Sequence, residues 1–414
     1  MPWSTCGEFP ASARGHVVVG VEPAALRLPR GARDGAVVVH HARVAWDETL
    51  TEQERRRARE QLEQLLERQA RMGTADVVTY HPPEAIAQRD LFALAGTHVD
   101  GTQWTVGDCE HRFPLQSISK VFTYALALED NGREATLTRV GVEPSGDPFN
   151  SLAFDEIHRR PHNPMVNSGA LVAADIVGGT DVDEKVGRLL ERLRLYTGNP
   201  DLEVDKELLE AQLTEADRNL GISYYMRSLG MLVGEVLDIL TVYLSVCSVM
   251  VTTAELSVAA ATLAHGGVNP RTDERAMART YVRDVIGVMF TCGMYDAAGQ
   301  WANDVGIPAK SGVSGGILAT IPNQVGLGVF SPGLDMHGNS VRGVNVCREL
   351  SDRFGLHIFA DPGETQLGRL GARVWPEPEP EPEPGALDPE PRDEYGGDGF
   401  DDDTARPTVI EAQT

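Results

Sequence analysis

The chain predicts an α+β fold (mixed α/β): an antiparallel sheet built from N- and C-terminal segments, flanked by helices, with a helical subdomain inserted between them. Two observations point there. Short apolar runs bounded by turn residues lie at 92–95 and 103–106, and again at 313–321, 325–330 and 341–346. Between these two groups, 115–265 carries mostly helical periodicity. Strands at both ends with helices between them form one sheet when the ends come together.

Taken in order, residues 1–47 mix Gly, Pro and Arg around one apolar run and read as an extension ending near 49. Thr51 with Glu54 makes an N-cap and capping-box pair for a helix over 51–72, in which Leu62, Leu65 and Leu66 form an apolar stripe and Gly73 is the stop. The runs at 92–95 and 103–106 flank Asp100-Gly101 and predict a hairpin. Helices follow at 115–130, 168–177, 183–195, 204–211, 217–228, 235–249, 253–264 and 281–292. Strands are expected at 313–321 and 325–330 around Pro322-Asn323, a third at 341–346, then a helix at 347–354 and a last apolar run at 356–359. From Pro376 an alternating Pro-Glu repeat and acidic, Gly-rich sequence are too polar to bury a core, which predicts a disordered tail over 362–414.

Composition narrows the function. The net charge of −24 over 414 residues argues against nucleic acid and anionic membranes, although 13 acidic and 2 basic residues after Pro376 supply much of it. No run of about 18 apolar residues is present to span a membrane. The N-terminus shows no secretory pattern, and five scattered cysteines (Cys6, Cys109, Cys247, Cys292, Cys347) have neither metal nor redox spacing. These features predict a cytoplasmic protein with reduced thiols.

The chemistry centres on 113–122, Phe-Pro-Leu-Gln-Ser-Ile-Ser-Lys-Val-Phe. Pro114 suits a helix start, and Val121, Tyr124, Ala125 and Leu128 continue the helical spacing. Positions i and i+3 share a face, so Lys120 can place its amine beside the Ser117 hydroxyl. Ser119, one residue before Lys120, points about 100° away and cannot use that amine. A serine alcohol attacks well only when a base removes its proton, and a lysine serves when burial or another cation keeps it neutral. Many surface helices carry Ser-x-x-Lys by chance, so the pair needs partners elsewhere. His162 has no second ligand at suitable spacing and makes no metal site.

Three stretches supply those partners: Gln-Ser-Ile-Ser-Lys at 116–120, Pro-His-Asn-Pro-Met-Val-Asn-Ser-Gly-Ala at 161–170, and Cys-Gly-Met-Tyr-Asp at 292–296 with Pro-Ala-Lys-Ser-Gly-Val-Ser-Gly-Gly-Ile at 308–317. With Val-Glu-Pro-Ser-Gly at 142–146, Asp217-Arg218-Asn219, Tyr243 with Cys247-Ser248 and Gly338-Asn339-Ser340-Val341, they resemble the serine-dependent glutaminases, whose fold is that of serine β-lactamases and penicillin-binding proteins. The resemblance runs from about residue 50 to 361, with the helical subdomain at roughly 130–250. It implies that Ser117 attacks the side-chain amide of L-glutamine, that Lys120 takes the serine proton, and that backbone N–H groups of Ser117 and Val313 hold the oxyanion. It further implies that Tyr295 and Tyr80 stand near the nucleophile, that Asn167, Asn219 and Tyr243 hold the amino-acid head group, and that Lys310-Ser311-Gly312 takes the place of the superfamily's Lys-Thr-Gly. No metal or organic cofactor, and a homodimer or homotetramer, are also implied. Two departures stand out. Where the family carries a glutamate that pairs with the substrate ammonium, seven residues before the asparagine of Asp-Arg-Asn, this chain has Gln212. Around Tyr80 it reads Val-Val-Thr-Tyr-His-Pro in place of Ala-Asp-Tyr-Ile-Pro. Glu210 or Glu215 could replace the missing charge only if the local backbone shifts, because on a helix Glu210 lies about 200° from Gln212.

Overall fold

The computed structural model describes residues 52–71, 90–146, 151–155 and 157–360. The expected N-terminal extension, the acidic tail, the Thr51 cap and Tyr80 lie outside the described residues.

The hairpin expected near the start forms. Strands β1 (Ala93–His98) and β2 (Gln103–Gly107) pair antiparallel, with Ala93 opposite Gly107. Their turn closes where the Thr102 N–H donates to Asp100 Oδ1 at 2.8 Å and Gly101 takes φ +89°. The C-terminal strands β5 (Ala309–Ser311), β6 (Gly316–Ile321) and β7 (Val325–Phe330) complete one antiparallel sheet in the order β2-β1-β7-β6-β5. The ends of the body therefore meet at the β1–β7 pair, as the fold expectation required.

Helices cover both faces of the sheet. On one face α1 (Glu52–Arg71), α10 (Ala298–Asp304) and α11 (Val341–Phe354) bury Leu62, Leu65, Leu66, Trp301, Val346 and Leu350 against Leu94, Val106, Ile317 and Val329. All ten are at most 4% exposed, and each such side chain stabilises the layer by roughly 1.5–3 kcal/mol. On the other face lies α8 (Thr253–Ala264), started by a capping box between Thr252 and Glu255. It approaches β7 backbone to backbone. A Cβ at Gly326 would sit 2.0 Å from the Ala261 nitrogen, and one at Gly328 2.4 Å from the Thr253 oxygen. Beyond α8 come α2 (Ser119–Arg139), α3 (Asn167–Ile176), α4 (Val182–Thr197), α5 (Lys206–Thr214), α6 (Asp217–Ser228), α7 (Val236–Cys247) and α9 (Arg279–Cys292). Residues Ser119 to Leu128 of α2 are buried on every side, which makes this the central helix of the subdomain.

Three expectations need correction, and one short element was not expected. The run at 341–346 is not a strand but the first half of α11. Ser340 caps it by accepting from the Gly343 N–H, and Val346, Cys347, Leu350 and Phe354 bury at helical spacing. Val344 and Val346 have strand spacing while Val341 and Val344 have helical spacing, and the cap decides between them. The strand expected over 313–321 begins only at Gly316, because 312–315 is a turn that separates it from β5. The helix expected to stop at 130 breaks at Gly132, φ +77°, and continues to Arg139. A short ribbon of β3 (Arg112–Pro114) and β4 (Met250–Thr252) has no period of its own to predict it. This ribbon matters for the site: it ties the start of α2 to α8, and Phe113 stacks on Phe330 of β7 at 4.2 Å between ring centres.

Candidate active site

The ribbon delivers the chain to a tight bend. After Pro114 the Leu115 N–H donates to Val249 at 2.9 Å, Gln116 takes φ +49°, and a 3₁₀ turn (Gln116–Ile118) runs directly into α2. A non-glycine residue in left-handed backbone is strained, and such strain persists only where the surroundings hold it. Here it sets Ser117 at the mouth of a buried helix. Lys120, 1% exposed, places Nζ 2.6 Å from Ser117 Oγ. Burial pushes the Lys120 amine down to about 8, against a small opposing influence from Cys247. Ser119 turns the other way, its Oγ 3.4 Å from Cys247 Sγ.

Two tyrosine hydroxyls stand close to the Ser117 hydroxyl. Tyr243 comes from α7. Tyr295 comes from a 3₁₀ turn (Tyr295–Ala297) after α9 and has φ +56°. Burial raises both phenols, Tyr243 well above its usual range and Tyr295 to about 12, so both stay protonated. The Tyr295 hydroxyl donates to the Ser311 carbonyl at 3.1 Å, and Lys310 Nζ donates to the same oxygen at 2.6 Å while sitting 4.0 Å above the Tyr295 ring. Lys310 is fully buried, and burial, with the nearby Lys120 amine adding to it, holds it well below the normal lysine range.

The turn after β5 passes close to the bend at Ser117. A Cβ at Gly312 would lie 2.9 Å from the Leu115 oxygen. Gly312 donates to Gly316 at 2.9 Å, which leaves Val313 at the tip, and its N–H has no backbone acceptor among the described residues.

A second group gathers at two helix starts. Asn167 opens α3, and Asn219 stands in the first turn of α6. Asn167 Nδ2 donates to Asn219 Oδ1 at 3.0 Å, and the Tyr243 hydroxyl donates to Asn167 Oδ1 at 3.3 Å. Asn167 thus bonds across the site instead of capping its own helix. Tyr243 is the hinge between this group and Ser117. Gln212 lies on α5, partly buried. Among the described residues its Nε2 is shielded from solvent with no hydrogen-bond partner, whereas Glu210 and Glu215 are exposed. Sequence reasoning assigned no role to Cys247 or Asn339. Cys247 sits beside Ser119 and Tyr243, and Asn339 Oδ1 accepts from Ser311 Oγ at 2.6 Å. Among the described residues no three His, Cys, Asp or Glu side chains gather as a metal would require.

An antiparallel sheet with helices on both faces, and a Ser-x-x-Lys turn against its edge, defines the β-lactamase-like class. Comparison with known proteins is more specific. The glutaminase family model matches residues 76–359. The glutaminase of Trichormus variabilis is 50% identical over 283 residues, 68% of this chain and 84% of that one. That of Microcystis aeruginosa is 45% identical over 301 residues, covering 73% and 89%. Among solved structures, Mglu in its native form is 41% identical with a TM-score of 0.69, covering 73% of this chain and 74% of that one. A probable glutaminase of Bacillus subtilis is 33% identical with a TM-score of 0.66, covering 72% and 97%. The chain belongs to the glutaminase family.

Proposed function

We propose that this chain hydrolyses L-glutamine to L-glutamate and ammonia through an acyl-enzyme on Ser117. The observation that carries the reading is the 2.6 Å approach of a buried, largely desolvated Lys120 amine to Ser117 Oγ. Neutral Lys120 takes the hydroxyl proton as Oγ bonds to the side-chain amide carbon. The oxyanion rests on the N–H groups of Ser117 and Val313, a reading supported by the close approach of Gly312 to the Leu115 carbonyl. Collapse expels ammonia, protonated through Lys120 with Tyr295 as relay. Water then attacks the ester, Lys120 again removes the proton, and glutamate leaves. Asn167, Asn219 and Tyr243 hold the α-carboxylate, where the starts of α3 and α6 add their positive ends. Lys310, Ser311 and Gly312 form the supporting wall. Tyr80 stays in the proposal on the family resemblance alone.

Gln212 favours a second reading. A carboxamide offers an N–H where an ammonium wants a carboxylate, so an amide whose amine is acylated would suit it better. Activity on N-acylated glutamine exceeding that on glutamine itself establishes this alternative. On the glutaminase reading, Gln212→Glu restores a charge-assisted contact and lowers KM for glutamine about 5- to 150-fold with kcat little changed. A KM that does not fall removes Gln212 from the amine site.

The reading includes a cytoplasmic location, supported by the unpaired thiols of Cys109, Cys247, Cys292 and Cys347, and no described helix is long and apolar enough to cross a membrane. It also includes a homodimer or homotetramer. Tyr224, Tyr225, Leu229, Val233 and Leu237, each 42–75% exposed, run from α6 into α7 and would be covered by a second copy. Sedimentation is expected at twice or four times the 44.9 kDa chain mass, and a monomer at micromolar concentration refutes the assembly.

A further inference from the structure

We infer that the loop from Asp335 to Asn339, between β7 and α11, is a clamp that holds Tyr295 in its working position, with Asn339 as the inner grip and His337 as the outer one. The inference rests on the role given to Tyr295 above.

The loop is braced from within. Asp335 Oδ1 accepts from the backbone N–H groups of His337 and Asn339, each at 2.9 Å, and Asp335 N–H donates back to the Asn339 carbonyl at 2.8 Å. Ser340, which caps α11, donates to the Ser331 carbonyl at 2.7 Å and anchors the far end. From this platform two side chains reach the turn that carries Tyr295. Asn339, 1% exposed, donates through Nδ2 to the Met294 carbonyl at 3.4 Å, and its Oδ1 takes the Ser311 hydroxyl at 2.6 Å. His337 Nδ1 meets Asp296 Oδ2 at 2.9 Å. The residues before and after Tyr295 are therefore both held by one loop. The same loop fixes Ser311, whose carbonyl accepts from the Tyr295 hydroxyl. Tyr295 needs such holding because its backbone is left-handed, a conformation that a bulky residue leaves when its neighbours let go.

His337 and Asp296 are partly exposed, with 32% and 26% of their side-chain surfaces open, so changing them leaves the core intact. In the purified full chain, His337→Ala and Asp296→Ala are each expected to lower kcat for glutamine by about 3- to 10-fold with KM within about twofold, since a small misplacement of a reacting group costs rate. The double variant should lose no more than the weaker single, because both substitutions open one contact. Asn339→Ala should fall further, toward the level of Tyr295→Phe. Wild-type kcat in both His337→Ala and Asp296→Ala, with Tyr295→Phe impaired, overturns the clamp. Losses that appear in KM alone, or that multiply in the double variant, overturn it too. If Tyr295→Phe itself keeps full kcat, the role of Tyr295 is wrong and the clamp falls with it.

Discussion

Ser117→Ala is expected to lower kcat for glutamine by roughly 10⁴- to 10⁶-fold while glutamate still binds. The loss is large because no neighbour can stand in. Ser119 is two residues along, turned toward Cys247 at 3.4 Å, and shares no face with the Lys120 amine. Both tyrosines near Ser117 are held protonated by burial and are poor nucleophiles at neutral pH. Binding should survive because the Asn167–Asn219–Tyr243 group is hydrogen-bonded within itself and does not need the serine hydroxyl to keep its shape. Two measurements check this: ammonia release under saturating glutamine, and calorimetric titration with glutamate. Adding hydroxylamine to the wild type should divert the acyl-enzyme to γ-glutamyl hydroxamate, a product that the alanine variant cannot make. Ammonia release by Ser117→Ala at the wild-type rate would sink the mechanism. Lost binding together with lost turnover would assign the serine a structural part instead.

Much of this could be read before the fold was known, and the reason is local. Ser117 and Lys120 are three residues apart, so helix geometry alone brings them together. The sheet was legible because its strands are short apolar runs with marked turns, Asp100-Gly101 on one side and Pro322-Asn323 on the other. The misreadings have local causes. At 341–346, Val344 and Val346 suit a strand and Val341 and Val344 a helix, and only the Ser340 cap and the packing of the next turn separate the two. At 312–315 the sequence Gly-Val-Ser-Gly is itself a turn signal, overrun when Val313 is joined to the apolar strand that follows it.

The less legible part of the site is its long-range geometry. Tyr243 and Tyr295 come from α7 and from a turn after α9, and neither has a local feature that marks it as polar machinery. Sequence alone gives no reason for Tyr295 to adopt φ +56°, and Asn339 lies 28 residues from the Ser311 hydroxyl it accepts. Family likeness named the tyrosines; it did not say what keeps Tyr295 in place. The Gln212 departure was plain in the sequence, and the fold adds that its amide nitrogen is buried and unsatisfied, a cost that a matching acceptor on a bound molecule would relieve.

The pH profile tests the base directly. Burial lowers the Lys120 amine to about 8, so acid protonates the base and alkali frees it. At pH 7 roughly a tenth of the molecules hold neutral Lys120, and at pH 8 about half. Hence kcat/KM should climb about tenfold from pH 7 to a plateau above pH 9, with a single inflection near 8. Lys120→Arg should lose the inflection and about 10²- to 10⁴-fold of rate, because a guanidinium stays charged and accepts no proton. Other groups around Ser117 have little claim to that inflection. Burial lifts Tyr243 and Cys247 above their ordinary values and Tyr295 to about 12. Among the described residues Lys310 is the remaining titratable neighbour, shifted well downward by burial and by the Lys120 charge. Measuring the residual activity of Lys310→Met separates the two amines: an inflection that persists near 8 belongs to Lys120, and one that vanishes belongs to Lys310. A profile flat between pH 6.5 and 9 means that no buried amine limits the step, and Lys120 is then not the base.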